Sequence, residues 1–289
     1  MVGVAALAAE LGAAYIHFQR SWDKGLAIHW LVERLTEHLG GGPESARRRA
    51  TVTATDTLHA YNQRFAVLAD TLALRAIPLI VLYVPQFPAA MPERRRFFLD
   101  LCAERRLSCV DLTTDFQAYP ADWLYQVPSD NHLSVLGHRL VAAALLRALR
   151  EPDMQQALAR GRPQGEALRL RGPNPPGVDE VRVYSGLAYR VVTNSSGFRM
   201  AQDIDRGSGR LVLVLGDSFT FGTTVDTEFA YPTLVARQLA GVTMLNAGIP
   251  GAGIAQESEL FLRMQGTQAL SLTVLQVLDN DLDQEDLPR

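Results

Sequence analysis

Short runs of consecutive apolar residues recur along the chain and constrain its fold more than any other feature. There are five: IPLIVLYVP (77–85), LSCVDL (107–112), RLVLVLG (210–216), VTMLNAG (242–248) and SLTVLQVL (271–278). A continuous apolar run of this length predicts a strand buried on both faces. Stretches with helical periodicity separate the runs, which predicts a parallel sheet built from right-handed crossovers. The predicted fold class is α/β: a three-layer α/β/α domain around a flavodoxin-like, parallel, five-stranded sheet.

A Pro/Gly-rich segment at residues 151–180 divides the chain, and its composition is typical of a linker or a long surface crossing. Five prolines fall in it: Pro152, Pro163, Pro173, Pro175 and Pro176. Residues 1–150 would supply two strands and residues 181–289 three, and neither number is enough for a separate domain of this class. We therefore expect residues 1–289 to form a single domain whose sheet takes strands from both halves.

Composition excludes several classes of partner. The formal net charge is −3, which gives no general electrostatic reason to expect nucleic acid or an anionic membrane surface. No stretch approaches the roughly 20 apolar residues that a membrane span requires. The N-terminus lacks the basic start of a secretory signal, so the cytoplasm is the expected location, although a leader that had been removed would be invisible.

Metals and cofactors are not expected either. Cys102 and Cys109 are the only two cysteines, and two thiols support neither a disulfide framework nor a zinc site. Asp279, Asp281 and Asp283 superficially resemble a calcium-binding loop, but no glycine follows at the sixth position.

Polar residues follow the predicted strands, at the edge of a parallel sheet where reactive groups collect. Ser218 comes directly after Gly216 and Asp217, and a serine there can act as a nucleophile if a base takes its proton. All six histidines precede Ser218. His132 is the best candidate base because Asp130, two residues before it, can orient the imidazole. The alternative is that Asp130 caps the following helix and His132 is a bystander.

Three groups could hold an oxyanion: the backbone N–H groups of Ser218 and Gly251 and the side-chain amide of Asn280. Each follows a different predicted strand. The alternatives are an ordinary strand-to-helix turn at residues 246–251 and a polar strand terminus at residues 279–281.

Four blocks of sequence together resemble the SGNH (GDSL) hydrolase superfamily: VLVLGDSFTFG, LNAGIPGAG, LDNDLD and DNHLSVLGHRLVA. The resemblance implies Ser218 as nucleophile, His132 as base, Asp130 as its partner, and Gly251 and Asn280 as oxyanion donors. VVTNSSGFR also resembles the usual lead-in to the first block.

The blocks depart from the superfamily pattern in three ways. The Asp-His block precedes the serine block, which implies a circular permutation joined through residues 151–180, or a fragment of a tandem array whose halves complement one another, in one chain or in a homodimer. The Asp-x-His spacing resembles the permuted alginate O-acetylating proteins. Leu278 replaces the glycine that usually stands two positions before the asparagine, and it could crowd the oxyanion pocket.

The resemblance implies a serine esterase acting on small-molecule, short-acyl esters without a cofactor. Two alternatives stay open: an O-acyltransferase acting on carbohydrate hydroxyls, and an inactive carbohydrate-binding module. The first fifty residues contain an amphipathic, aromatic-rich stretch that includes Tyr15, Phe18, Trp22, His29 and Trp30. This stretch could form a lid or an acyl-pocket wall, or simply a helix packed on the sheet.

Overall fold

A parallel five-stranded sheet forms the centre of the computed structural model, which describes residues 54–86, 91–160, 162–204 and 210–282. Its strands are β1 (Leu79–Tyr83), β2 (Ser108–Asp111), β5 (Leu211–Leu215), β6 (Thr243–Asn246) and β7 (Leu270–Val277). A separate antiparallel hairpin consists of β3 (Asp179–Tyr184) and β4 (Leu187–Val192). The predicted α/β class with five parallel strands is therefore confirmed.

The spatial order of the strands in the sheet is β2-β1-β7-β5-β6. If the strands are counted from β5 through β7 and then on to β1 and β2, the same order reads 2-1-3-4-5, which is the flavodoxin-like order. Strands from before and after residues 151–180 thus share one sheet, with β7 pairing with both β1 and β5. The circular permutation itself stays a prediction.

Helices cover both faces of the sheet. They are α1 (Ala54–Leu74), α2 (Pro92–Arg105), α3 (Thr113–Gln117), α4 (Ala121–Leu124), α5 (Val135–Leu149), α6 (Pro152–Ala159), α7 (Ser218–Phe221), α8 (Tyr231–Ala236) and α9 (Ile254–Arg263). Alternate residues of β1 point to opposite faces: Leu79 and Val81 join the core under α1, α2 and α9, while Ile80 and Leu82 join the core under α5 and α8. Because both faces of β1, β5 and β7 are buried, these strands are nearly continuous apolar runs in the sequence.

The structure differs from the sequence-based description in three places. The Pro/Gly-rich segment is not a bare linker, since it contains α6 and a 3-10 helix at Gln164–Arg169. The β3–β4 hairpin was not predicted. A helix predicted at about residues 228–239 is reduced to α8, because Pro232 lacks the N–H that a helix interior needs and is tolerated only in the first turn.

Within the ranges given above, no helix combines the length and the apolar character needed to cross a membrane. The cytoplasmic location stays a prediction. The aromatic-rich stretch in the first fifty residues lies outside the described residues.

Candidate active site

Ser218 lies where β5 turns sharply into α7. Gly216 adopts φ 153°, and a Cβ there would lie 2.2 Å from Thr220 Oγ1, so a side chain is excluded on both counts. Asp217 caps α7, because its Oδ1 accepts the Phe219 N–H at 2.9 Å. Ser218 is the first residue of the helix and is half-buried, and its Oγ donates to Asp217 Oδ2 at 3.4 Å. The Gly-Asp-Ser triplet therefore sets the position of the Ser218 backbone at the start of α7.

The loop after β6 holds α7 in place. Asn246 donates from Nδ2 to the Thr220 carbonyl at 2.9 Å and accepts the Gly248 N–H on Oδ1 at 3.0 Å. Gly248 passes so close to α7 that a Cβ on it would lie 2.1 Å from Phe221 N. The second sequence block thus supports the nucleophile turn as well as carrying Gly251.

A buried arginine supports α7 from the other end. Arg199 is fully buried, and its guanidinium donates to the carbonyls of Phe221 and Val225 (2.7 Å for the latter) and to Thr227 Oγ1 at 3.2 Å. It also lies over the Phe221 ring at 4.4 Å from the centroid. Burial lowers the pKa of Arg199, and its hydrogen bonds are all to uncharged groups. The structural role of VVTNSSGFR is therefore to place this cation behind the nucleophile turn.

His132 and Asp130 form a closed pair in the loop before α5. Asp130 Oδ1 accepts the His132 backbone N–H at 2.8 Å and is also hydrogen-bonded to His132 Nδ1. Burial would raise the pKa of Asp130, but hydrogen bonds from His132 and Ser185 outweigh it and hold that pKa below its usual range. The N-cap of α5 is Ser134, which accepts the Gly137 N–H at 3.2 Å. Asp130 therefore pairs with His132 and does not cap the helix.

The His132 ring lies between two aromatic rings and is 8% exposed. Its centroid is 5.4 Å from that of Phe219, the residue after Ser218, and 5.6 Å from that of Tyr184, which meets it edge-on. Burial raises the pKa of Asp217, and the nearby His132 partly offsets that rise. No hydrogen bond joins Ser218 Oγ to His132. The His132 ring thus lies beside the residue that follows Ser218, while Ser218 Oγ is hydrogen-bonded to Asp217.

The proposed oxyanion donors follow β6 and β7, the two neighbours of β5. Gly251 is exposed at φ 77°, in the turn before α9. Asn280 lies in a 3-10 helix at Asp279–Leu282 and is half-buried, and its Oδ1 has no hydrogen-bond partner within the described part of the chain. Tyr83 holds this helix by donating to Asp279 Oδ1 at 2.7 Å. Leu278 is fully buried in the core cluster that contains Phe219, so its side chain presents no surface to a pocket.

Three buried carboxyl groups lie beneath the site: Asp217, Glu257 and Asp281. Burial raises the pKa of Asp217 to about 6. Burial and the neighbouring Asp217 also raise the pKa values of Glu257 and Asp281 well above the usual range. Asp281 Oδ2 accepts the Leu278 N–H at 2.7 Å. Because Asp217 raises the pKa of Asp281, these two carboxyl groups, from the first and third sequence blocks, lie close together.

Several residues of the site escaped the sequence analysis. Tyr184 and Ser185 reach His132 and Asp130 from the unpredicted hairpin. The Ser-Gly dipeptide between two alternating segments was the available signal for that hairpin. His138 is fully buried against Tyr231, and burial lowers its pKa to about 3, so it is structural. Among the described residues, no cluster of His, Cys, Asp and Glu has metal-binding geometry.

Comparison with known proteins finds a match in fold only. No family model and no curated protein matches the chain. The O-acetyltransferase domain of Pseudomonas putida AlgJ matches with a TM-score of 0.56 and 14% identity, over 81% of this chain and 86% of that one. A structure of Pseudomonas aeruginosa AlgX matches with a TM-score of 0.43 and 12% identity, over 78% of this chain and 61% of that one. The chain thus shares its fold with the AlgJ domain.

Proposed function

We propose that the chain is an acyl-transfer enzyme that works through an acyl-Ser218 intermediate, with a carbohydrate hydroxyl as the acceptor. The observation that carries the proposal is the His132–Asp130 pair, which lies against the residue that follows Ser218. A serine hydroxyl becomes a nucleophile when an oriented histidine takes its proton, and Asp130 fixes that orientation from Nδ1. Nε2, the remaining ring nitrogen, is then the proton acceptor.

The first half-reaction acylates the enzyme. Ser218 Oγ attacks the carbonyl carbon of an acyl donor as its proton passes to His132 Nε2. The carbonyl oxygen becomes an oxyanion, and we assign its stabilisation to the N–H groups of Ser218 and Gly251 and the amide of Asn280. Neither the Ser218 N–H nor the Gly251 N–H donates to a backbone carbonyl of the described residues. The intermediate collapses to acyl-Ser218, and the leaving group takes the proton from His132.

The second half-reaction decides between a transferase and a hydrolase. His132 takes the proton of the acceptor hydroxyl as the acceptor oxygen attacks the acyl-Ser218 carbonyl. His132 then returns that proton to Ser218 Oγ as the new ester is released. A carbohydrate acceptor is supported by the fold shared with a domain described as an O-acetyltransferase, and by the Asp-x-His spacing. Water as acceptor gives the esterase, which remains the second candidate because the four blocks resemble a hydrolase superfamily.

The proposal is tested by giving the protein a choice of acceptor. Purified wild-type protein is incubated with p-nitrophenyl acetate, with and without a neutral or acidic oligosaccharide, beside the Ser218→Ala variant. Release of p-nitrophenol measures acylation, and mass spectrometry of the oligosaccharide detects acetyl transfer. The expected result is an acetylated sugar with wild type and none with Ser218→Ala.

The other outcomes identify the alternatives. Turnover of the ester without any acetylated sugar would assign the esterase. No turnover by the folded wild type, together with sugar binding that Ser218→Ala leaves unchanged, would assign the inactive binding module. Replacing the acetate by the octanoate ester measures the size of the acyl pocket in either enzyme.

A further inference from the structure

The turn of the β3–β4 hairpin reaches the candidate active site. Ser185 and Gly186 are the two residues between the strands, with φ 50° and 78°. Positive φ at both positions is typical of a type I′ turn, for which Asn, Asp and Gly are the preferred residues. Serine in the left-handed region is strained, and such strain persists where the surrounding structure compensates it.

The compensating contact is with the partner of the histidine. Ser185 Oγ donates to Asp130 Oδ2 at 2.6 Å, a length typical of a hydroxyl bound to a charged carboxylate. The other oxygen, Oδ1, accepts both the backbone N–H and Nδ1 of His132. Ser185 is therefore the side chain that fixes Oδ2, and with it the rotation of the carboxylate about its Cβ–Cγ bond.

The hairpin itself is anchored to the elements behind the nucleophile. The Arg190 N–H donates to Asp226 Oδ1 at 2.6 Å, and the Val192 N–H donates to Thr227 Oγ1 at 2.8 Å. Tyr189 is buried in a cluster with Phe221, the last residue of α7. The turn is thus held by the same structure that positions Ser218.

We infer that Ser185 is a positioning residue for acyl transfer: its hydroxyl holds Asp130 Oδ2 so that Oδ1 stays on His132 Nδ1. The inference rests on the proposed function. Ser185 touches neither the nucleophile nor the reacting atoms, so it acts on kcat through the orientation of the imidazole and leaves KM unchanged.

Two substitutions separate the hydroxyl from the backbone strain. Ser185→Ala removes the donor and keeps a Cβ at positive φ, whereas Ser185→Gly removes both. Ala76 is a matched control, because it is an exposed alanine at φ 51° between α1 and β1, at the opposite edge of the sheet. Both the change from Ser185→Ala to Ser185→Gly and the change from wild type to Ala76→Gly replace an alanine at positive φ by glycine. The melting temperature should therefore rise by the same amount in the two comparisons. Ser185→Asn, which tolerates positive φ and keeps an N–H donor, is the rescue variant.

The expected result is a fall in kcat of roughly tenfold in both Ser185→Ala and Ser185→Gly, at unchanged KM, with partial recovery in Ser185→Asn. Ala76→Gly should keep the wild-type kcat. The inference would be overturned if all four variants had the wild-type kcat. It would also be overturned if the loss of kcat in each variant were proportional to its loss of melting temperature.

A second readout does not depend on turnover. The proton on His132 Nδ1, held by Asp130, gives a downfield ¹H NMR resonance that is assigned by its loss in His132→Gln. We expect this resonance to shift or broaden in Ser185→Ala and to stay unchanged in Ala76→Gly. An unchanged resonance in Ser185→Ala refutes the positioning role even if the protein proves inactive toward esters. A shifted resonance in an inactive protein would refute the proposed function and leave the Ser185 contact standing.

Discussion

The contact between Gly248 and α7 gives the sharpest test of how the fold positions the nucleophile. A Cβ at residue 248 would lie 2.1 Å from Phe221 N and 2.7 Å from Phe221 Cα, against at least 3.0 Å for real Cβ contacts. The loop and α7 must therefore separate by about 0.9 Å in Gly248→Ala. Overpacking of this kind costs about 1–3 kcal/mol, and the lower entropy of the unfolded alanine chain returns less than about 1 kcal/mol. Because α7 begins at Ser218, the hydroxyl should move with it, and a 1 Å misplacement costs about a hundredfold in rate.

The assay compares kcat for p-nitrophenyl acetate and the urea midpoint of Gly248→Ala with those of wild type. Gly165→Ala is the matched control, since a Cβ there meets nothing within 4 Å and the residue is not at positive φ. We expect Gly165→Ala to keep wild-type values. Wild-type rate and stability in Gly248→Ala would refute the close approach. A loss of stability at full rate would refute the claim that this contact sets the position of Ser218.

Four further predictions follow from the site. Ser218→Ala should abolish turnover without changing the melting temperature, because the half-buried hydroxyl makes only a 3.4 Å hydrogen bond; residual turnover at the wild-type level would reassign the nucleophile. Asp130→Asn should lower kcat by about a thousandfold, since an amide favours the wrong tautomer of His132; a rate near wild type in the same assay would remove Asp130 from the mechanism. Arg199→Met should cost about 3 kcal/mol by urea denaturation, because buried carbonyls lose their donors; a loss below 1 kcal/mol would contradict this. Finally, burial raises the pKa of Asp217 to about 6. Between about pH 4 and pH 6 the folded state therefore holds a proton that the unfolded chain has released. The free energy of unfolding should fall by about 2–3 kcal/mol as the pH rises from 4 to 6. A urea midpoint that is higher at pH 8 than at pH 5 would contradict the sign.

The sheet could be predicted from the sequence because its three central strands, β1, β7 and β5, are buried on both faces. A strand buried on both faces is mostly apolar, and the runs at residues 77–85 and 210–216 show this without reference to any neighbour. The hairpin was missed because it lies on the surface of the domain. Val181 and Val183 alternate with charged residues, which is a weaker signal than a continuous apolar run, and both are exposed; the turn chemistry of Ser185 and Gly186 was the other signal.

The candidate catalytic residues were predictable for a related reason. Ser218 and His132 each stand in a local context that can be recognised within a few residues, and Asp130 is close enough in sequence to pair with His132 by geometry alone. Arg199 could not be assigned in this way. Three of its hydrogen-bond acceptors lie 22 to 28 residues away, and nothing in the local sequence indicates which carbonyls a buried arginine will meet.

The sequence by itself determined the class of fold, the positions of the five sheet strands, and the three residues proposed for the chemistry, since each depends on local pattern. Tertiary structure alone decided that Ser185 binds Asp130 and that Gly248 must lack a side chain beside Phe221. It also decided that Asp217 lies close enough to Glu257 and Asp281 to raise their pKa values. These contacts join segments far apart in the chain. Their strength depends on distances and burial that only the packed structure sets.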